Sequence, residues 1–270
     1  MSGGLVERVR ETSRRALASG ALESIKTERL LIADPNWPFQ VRILTSLAKK
    51  HGVSTRLARA QTQVHNPFLN PEPALLVCEM GSRYRCVLNK FNVVEDHLLL
   101  VTRQFEPQQA PLEEADFDVL LKAIEQMPGL GFFNGGPGAG ASQPHRHLQL
   151  VPEHSLGPLP VDKWLARGRP LPFTHRYLSF DGVPGAAPLK AFYDQALIDL
   201  GLAPNARGLL GPYNLLVTRQ WAILVPRRQE RYRGLSVNAL GFAGALLLAN
   251  REPLQWLKRE GIAPLLRTLS

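Results

Sequence analysis

Asn134-Gly-Gly-Pro-Gly-Ala-Gly-Ala-Ser-Gln-Pro-His-Arg-His-Leu-Gln149 is a glycine-rich loop that runs directly into polar residues at every second position. Gly135, Gly136, Gly138 and Gly140 permit positive φ and close approach of a ligand, leaving amide N–H groups free to cup an anion. Beyond Pro144, His145, His147 and Gln149 alternate with Arg146, Leu148 and Leu150. In a strand they share one face and the leucines take the other. A phosphate held by the loop would then lie beside a row of imidazole and amide groups. A neutral imidazole is a good nucleophile near neutral pH, and a phosphoryl group bound to nitrogen remains a reactive donor. Blander readings compete, because a lone His is most often structural or solvated. The His-x-His pair also suits zinc, but no Cys, Asp or Glu between Asn134 and Val151 completes a tetrahedral set. A helix would bring His145 and Gln149 together, yet it would have to start straight after a proline. A strand bearing a nucleophilic His is the preferred reading.

Ahead of the loop, Leu130 to Phe133 reads as a short apolar strand. Glu113 to Met127 places Phe117, Leu120, Leu121 and Ile124 on one stripe with acidic residues in its first turn, the pattern of a helix covering a sheet. Ala74 to Met80, a turn at Gly81-Ser82, and Arg83 to Asn89 read as a hairpin, with His97 to Arg103 returning as a third strand. Strand, strand, strand, helix, strand, strand gives an α+β fold: an antiparallel sheet covered by helices. Residues 3 to 20 form a packing helix, Phe39 to Leu47 a strand, and residues 51 to 73 a proline-punctuated loop. The Pro- and Gly-rich stretch from Glu153 to Pro188 joins two halves or rims a cleft. A helix follows at Leu189 to Leu200, then a hairpin of Tyr213 to Thr218 and Trp221 to Pro226. A further helix is expected over Leu235 to Leu248, with Gly241 and Gly244 allowing close approach. Hairpin followed by helix therefore recurs. It implies one catalytic domain of two half-units, 1–152 carrying the motif and 153–270, a degenerate copy, completing the cleft.

Length and composition agree with an enzyme. With 270 residues and 44% hydrophobic content the chain can bury a substantial core. No stretch approaches the roughly 20 apolar residues of a membrane span. Arg8, Arg10, Arg14 and Arg15, mixed with Glu7 and Glu11, argue against a secretory or transit signal. Cys78 and Cys86 face each other at most across the hairpin, and read as buried thiols in a reducing cytoplasm. The net charge of +9 and pI near 9.9 suit an anionic partner. The basic residues are dispersed, however, and form no aromatic-interleaved stripe for nucleic acid, whereas a polyphosphate needs only a few of them.

The run from Gly140 to Gln149 resembles the active-site signature of the ATP adenylyltransferase (diadenosine tetraphosphate phosphorylase) family, the His-x-His-x-Gln branch of the histidine triad superfamily. Leu88 to Arg103 resembles that family's nucleoside-binding hairpin, and Asn66-Pro-Phe with Pro71-Glu-Pro is also similar. The resemblance implies a histidine-triad-like fold and a nucleotidyl transfer. In it His147 attacks the α-phosphorus of diadenosine tetraphosphate, expels ATP, and yields the adenylyl group to inorganic phosphate as ADP. It implies that His145 orients the nucleophile and that Leu88, Asn89 and Lys90 serve the nucleoside. Asn134, Gly140, Ala141, Ser142, Gln143 and Gln149 would serve the phosphates, together with Lys49 or Lys50, while Asn238, Ala239, Leu240 and Ala245 would close over the substrate. A family Lys appears here as Ala249, which removes one positive charge. No covalently bound cofactor or resident metal is expected; a divalent cation, magnesium, accompanies the polyphosphate. The expected partners are the nucleotide and inorganic phosphate, not nucleic acid or membrane, and the expected state is a monomer or weak oligomer in the cytoplasm. Hexose-1-phosphate uridylyltransferases also resemble His-x-His-x-Gln and form an alternative; a nucleotide- or RNA-binding module that has lost catalysis is a more distant one.

Overall fold

A computed structural model describes residues 4–45 and 66–270. Lys49, Lys50, the end of the expected Phe39 to Leu47 strand, and residues 51–65 of the expected loop lie outside the described residues. In chain order the elements are α1 (Leu5–Ser19), β1 (Thr27–Ile32), β2 (Phe39–Leu44), β3 (Leu76–Met80), β4 (Tyr84–Leu88), β5 (Leu98–Thr102), α2 (Glu114–Gln126), β6 (Gly129–Gly135) and β7 (His147–Pro152). They continue with α3 (Glu153–Leu156), α4 (Pro160–Leu165), β8 (Arg176–Ser179), α5 (Ala186–Asp199), β9 (Tyr213–Val217) and β10 (Trp221–Pro226). The last are β11 (Arg231–Tyr232), β12 (Leu235–Ser236), α6 (Ala239–Phe242), β13 (Ala245–Leu248), α7 (Glu252–Glu260) and α8 (Ala263–Leu269).

Eight strands form one antiparallel sheet in the order β3-β4-β5-β7-β6-β9-β10-β8. Its centre is palindromic. β5, α2, β6 and β7 in the first half correspond to β8, α5, β9 and β10 in the second, and the halves meet where β6 pairs with β9 from Gly131↔Val217 to Gly135↔Tyr213. The repeated order is strand, helix, hairpin rather than the expected hairpin followed by helix. The helix that repeats α2 is α5, not the 235–248 segment.

One face of the sheet is covered by helices whose stripes the sequence specifies. α1 buries Leu5, Val9, Thr12 and Ala16 at three- and four-residue spacing and ends at Gly20, whose φ of 74° closes the last turn. α2 opens on a capping box in which the Glu113 carboxylate accepts from the Asp116 N–H and the Asp116 carboxylate accepts from the Glu113 N–H. Its Phe117, Leu120 and Ile124 pack on Leu98, Leu100, Leu148 and Leu150 of the sheet. The opposite face carries Leu130, Phe132, Val151, Leu216, Ile223 and Val225. These pack under a second layer built from β1, β2 and β13 and the C-terminal helices. Burying this apolar surface on two sides of one sheet, at about 25 cal/mol per Å² removed from water, holds the layers together. Among the described residues no helix is long and apolar enough to cross a membrane.

The expected helix over Leu235 to Leu248 is replaced by β12, the single turn α6, and β13, which runs parallel to β2 with Ala245 opposite Gln40. A short apolar run is equally compatible with a buried strand, and here backbone geometry decides. Gly244 has φ +83°, a conformation that ends a right-handed helix, and it sits where a Cβ would lie 2.6 Å from Pro160 Cβ and 2.9 Å from Trp164 Cζ2. The expected close approach is real, but it is to α4. Two other expectations shift slightly: the strand before the loop runs on through Asn134 and Gly135, and β1 is a strand that no expected element covers.

Because Gly244 leads directly into β13, it tests how that strand docks. Gly244→Val is expected to destabilise the fold by about 2–4 kcal/mol through combined backbone strain and overpacking. A thermal scan reads it as a lower Tm; an unchanged Tm would mean that β13 is not seated against Trp164.

Candidate active site

β6 and β7 pair from Gly129↔Pro152 to Phe132↔Gln149 and then part, and the glycine loop fills the gap. Gln108 takes the place of the missing ladder. Its Oε1 accepts from the His147 N–H at 2.8 Å, and its Nε2 donates to the Asn134 carbonyl at 2.9 Å and the His147 carbonyl at 3.2 Å. His145 precedes the strand and makes an isolated bridge to Pro107. The expected alternation holds: His147 and Gln149 lie on the face opposite Leu148 and Leu150, opposing Val101 and Leu99 of β5. Phe68 covers Val87, Leu99 and Val101, and its ring centroid is 5.2 Å from that of His147.

The hydrogen bonds assign the imidazole tautomers. His147 Nδ1 lies 2.8 Å from the His145 carbonyl oxygen, which can only accept, so Nδ1 carries the proton and Nε2 carries the lone pair. Burial pushes the His147 pKa down to about 4, partly offset by that same hydrogen bond, so the ring is neutral at pH 7. His145 is held at both nitrogens. Its Nε2 donates to the Thr102 carbonyl at 2.8 Å, and its Nδ1 accepts from Asn66 Nδ2 at 2.9 Å. From the far face Arg146 anchors the segment through Asp116 at 2.8 Å and Glu106 at 3.0 Å. Burial still raises the Asp116 pKa, outweighing the attraction of Arg146.

A second chain orients Gln149. Asn89 Nδ2 donates to His97 Nδ1 at 3.1 Å, and His97 Nε2 donates to Gln149 Oε1 at 3.0 Å. The carbonyl end of Gln149 is thereby occupied and its NH₂ end is presented away from His97. His97, buried and lowered to about 4 by that burial, is neutral. Its isolated position in the sequence does not single it out, because its contact with Gln149 joins residues distant in the chain.

The loop is fixed by a buried polar knot. Asn134 Oδ1 accepts from Asn214 Nδ2 at 2.8 Å and from the Ala239 N–H at 3.0 Å. Arg227 donates to Asn214 Oδ1 at 2.7 Å and to the Val237 carbonyl at 2.8 Å, and its guanidinium stacks on Phe242. Burial lowers its pKa to about 10, which still leaves it charged. Gly136 and Gly140 take φ of 91° and 90°, whereas Gly135 ends β6 and Gly138 sits in a short 3-10 turn outside the positive-φ region. Two of the four glycines thus use the freedom expected of all four. A Cβ on Gly140 would lie 2.8 Å from Asn238 Cβ, so loop and second half touch there. The sequence does not single out Gln108, Asn214 and Arg227, because their roles come from contacts with residues distant in the chain.

The other expected residues divide. Asn238 caps α6, its Oδ1 accepting from the Leu240 N–H at 3.1 Å, and together with Ala239 it meets the loop. Ala141, Ser142 and Gln143 lie in the loop after Gly140, Ser142 exposed. Asn89 joins the His97 chain. Leu88, however, packs in the helix-side core with Cys86 and Leu98, on the face opposite His147, because strand alternation gives that face to Val87 instead. Lys90 is half-exposed and pairs with Glu72 at 2.6 Å. Ala245 lies in β13 beside Gln40, and Ala249 is exposed.

Residues 1–167 match the Ap4A phosphorylase N-terminal domain and residues 169–270 the ATP adenylyltransferase C-terminal domain. The chain belongs to the Ap4A phosphorylase family. It is 28% identical to diadenosine 5′,5‴-P1,P4-tetraphosphate phosphorylase 2 of Saccharomyces cerevisiae, with 95% of this chain and 90% of the relative covered. It is 26% identical to Protein APA1 of the same yeast, over 88% of this chain and 85% of that one. The crystal structure of yeast Ap4A phosphorylase Apa2 in complex with Ap4A superposes with a TM-score of 0.78 at 25% identity, covering 100% of this chain and 98% of the other. Its complex with AMP gives 0.77 at 26% identity, covering 100% and 95%.

Two outcomes follow from the site's construction. His97 and His147 have folded pKa values near 4, below the unfolded value of about 6.5, so the unfolded chain binds more protons between these limits. Stability is therefore expected to fall as pH drops from about 6.5 to about 4, and the fall should be shallower in His97→Asn; equal slopes in denaturant titrations of the two proteins would contradict the buried neutral His97. Gly140→Val should displace the loop from Asn238 and lower nucleotide affinity by about tenfold or more. Calorimetric titration with nucleotide checks it, and an unchanged affinity would reduce the loop to a turn.

Proposed function

We propose that this chain, as a member of the Ap4A phosphorylase family, cleaves diadenosine 5′,5‴-P1,P4-tetraphosphate with inorganic phosphate to ADP and ATP through an adenylyl group on His147. The carrying observation is the neutral His147 ring whose Nδ1–H is bound to the His145 carbonyl, which leaves Nε2 as the nucleophilic nitrogen. In the first step the Nε2–phosphorus bond forms at the α-phosphorus and the bond to the bridging oxygen breaks, releasing ATP. In the second a phosphate oxygen attacks the same phosphorus, the nitrogen–phosphorus bond breaks, and ADP leaves.

His145 acts through its carbonyl, holding the ring and stabilising the proton on Nδ1 as charge develops. Gln149, with Oε1 tied to His97, offers its NH₂ to a phosphoryl oxygen. The Gly140 and Ala141 N–H groups are not free as the sequence led us to expect: they donate to the Pro137 and Gly136 carbonyls at 3.0 and 3.1 Å and hold the loop, so the donors to the phosphates come from Ser142 and Gln143. The Asn134 oxygen is spent on Asn214 and Ala239, which leaves its NH₂ as the group that can serve the substrate. Asn89 serves the ribose, Asn238 with Leu240 closes the second side, and Lys49 or Lys50 with a divalent cation, magnesium, balances the polyphosphate charge.

The alternation of His147 with Gln149 also sets the acceptor. In hydrolytic members of the superfamily this last position is His, which can exchange a proton with attacking water; an amide has no such titration. Phosphate arrives already anionic and needs no base. Turnover is expected to require inorganic phosphate, to give equal ADP and ATP, and to reverse when both products are in excess. Chromatography of the nucleotides with and without phosphate checks this; AMP formed in phosphate-free buffer at a comparable rate would make the protein a hydrolase. His147→Ala should fold and lose on the order of 10⁴-fold or more in kcat.

A further inference from the structure

The two cysteines lie away from the transfer site. Cys78 of β3 and Cys86 of β4 are direct cross-strand partners, and both pack on the helix-covered side of the sheet. Cys86 opposes Leu100, which opposes Leu148, so the pair is on the face opposite His147. Residues directly opposed in an antiparallel pair have Cα atoms about 4.5–5.5 Å apart, within the span a disulfide bridges. Both cysteines are free thiols. Cys86 is buried, whereas Cys78 is half-exposed and lines a cavity of about 450 Å³ bounded by Arg8 of α1, Met80, Tyr84 and Lys122 of α2.

We propose that Cys78 and Cys86 form a hydroperoxide-reactive dithiol site, entered from the cavity beneath α1, that closes to a cross-strand disulfide. The environment separates the roles of the two sulfurs. The Cys86 S–H donates to the Cys78 sulfur, and the Arg8 guanidinium beside it adds to the effect; together they outweigh partial burial and the nearby Glu79, lowering the Cys78 pKa to about 7. The same hydrogen bond, with complete burial, raises Cys86 well above the ordinary thiol range. Of the other charges on the cavity wall, Lys122 is paired with Asp118 at 2.7 Å and Arg83 with Glu113 at 2.5 Å. Cys78 is thus the attacking thiolate and Cys86 the resolving thiol.

The chemistry balances. The Cys78 thiolate attacks one peroxide oxygen; the S–O bond forms, the O–O bond breaks, and the other oxygen leaves as hydroxide or alkoxide and takes a proton from water. Cys78 is then a sulfenic acid, oxidised by two electrons as the peroxide is reduced. The Cys86 sulfur next attacks Cys78; the S–S bond forms, the S–O bond breaks, and the Cys86 proton leaves with the hydroxyl as water. No group of the transfer site takes part, so the proposal stands independently of the proposed function.

The test treats the full chain with hydrogen peroxide at pH 7, denatures it, alkylates the remaining thiols and maps the peptides by mass spectrometry. Both thiols should disappear together, a Cys78–Cys86 cross-linked peptide should appear within the single chain, and Cys78 should react a few-fold faster than free cysteine. Cys78→Ser should keep an alkylatable Cys86, and Cys86→Ser should stop at a Cys78 sulfenic acid captured by dimedone. Should the buried Cys86→Ser variant fail to fold, the wild-type peptide map decides alone. Retention of both thiols under conditions that consume free cysteine, or cross-links only between chains, would overturn the proposal.

Discussion

The hydrogen bond from His147 Nδ1 to the His145 carbonyl oxygen is the constraint on which the site depends. A carbonyl cannot donate, so it fixes one tautomer and leaves the lone pair on the opposite nitrogen. The bond is useful only if the carbonyl itself is immobile. Asn66 and Thr102 hold the His145 ring, Arg146 is tied to Asp116 on the reverse face, and Gln108 grips the His147 backbone. Burying polar groups such as these is costly unless their partners are present. Here the partners position one another.

The same logic governs the junction of the two halves. A palindromic sheet puts β6 beside β9, and so brings Asn134 opposite Asn214. Asn214 and Arg227 then link the loop to the 237–239 segment, so residues from both ends of the chain fix the loop. Replacing one partner of a buried charged network strands the others and commonly costs about 3–5 kcal/mol. Among the described residues no carboxylate pairs with Arg227 on the fork that binds Asn214; carbonyl oxygens and the Phe242 ring stabilise it.

Where local chemistry decides structure, the sequence is readable. The hairpin at Gly81, the amphipathic stripe of α2 and the alternation from His145 to Gln149 all have short-range causes, and the structure has them. The 235–248 segment reads wrongly as a helix because an apolar run does not distinguish helix from buried strand, and the decisive feature of Gly244 is its positive φ, not its small size. β1 escapes a pattern reading because Thr27–Ile32 is mostly solvent-facing, with charged Glu28 and Arg29 breaking the alternation. The shared strand face of His147 and Gln149 is legible from spacing, while Leu88 falls on the opposite face by one residue of register. Gln108, His97, Asn214 and Arg227 act through partners distant in sequence, and nothing in their local pattern marks them.

If His147 is the nucleophile, its Nε2 becomes covalently adenylylated during turnover. Rapid quenching of the protein with diadenosine tetraphosphate in phosphate-free buffer, followed by peptide mass spectrometry at alkaline pH where phosphoramidates survive, tests it most directly. One adenylyl group is expected on the peptide bearing His147, lost when inorganic phosphate is added and recovered as ADP. Turnover with phosphate but no adenylylated peptide at any quench time, or the group found on His145 instead, would contradict it.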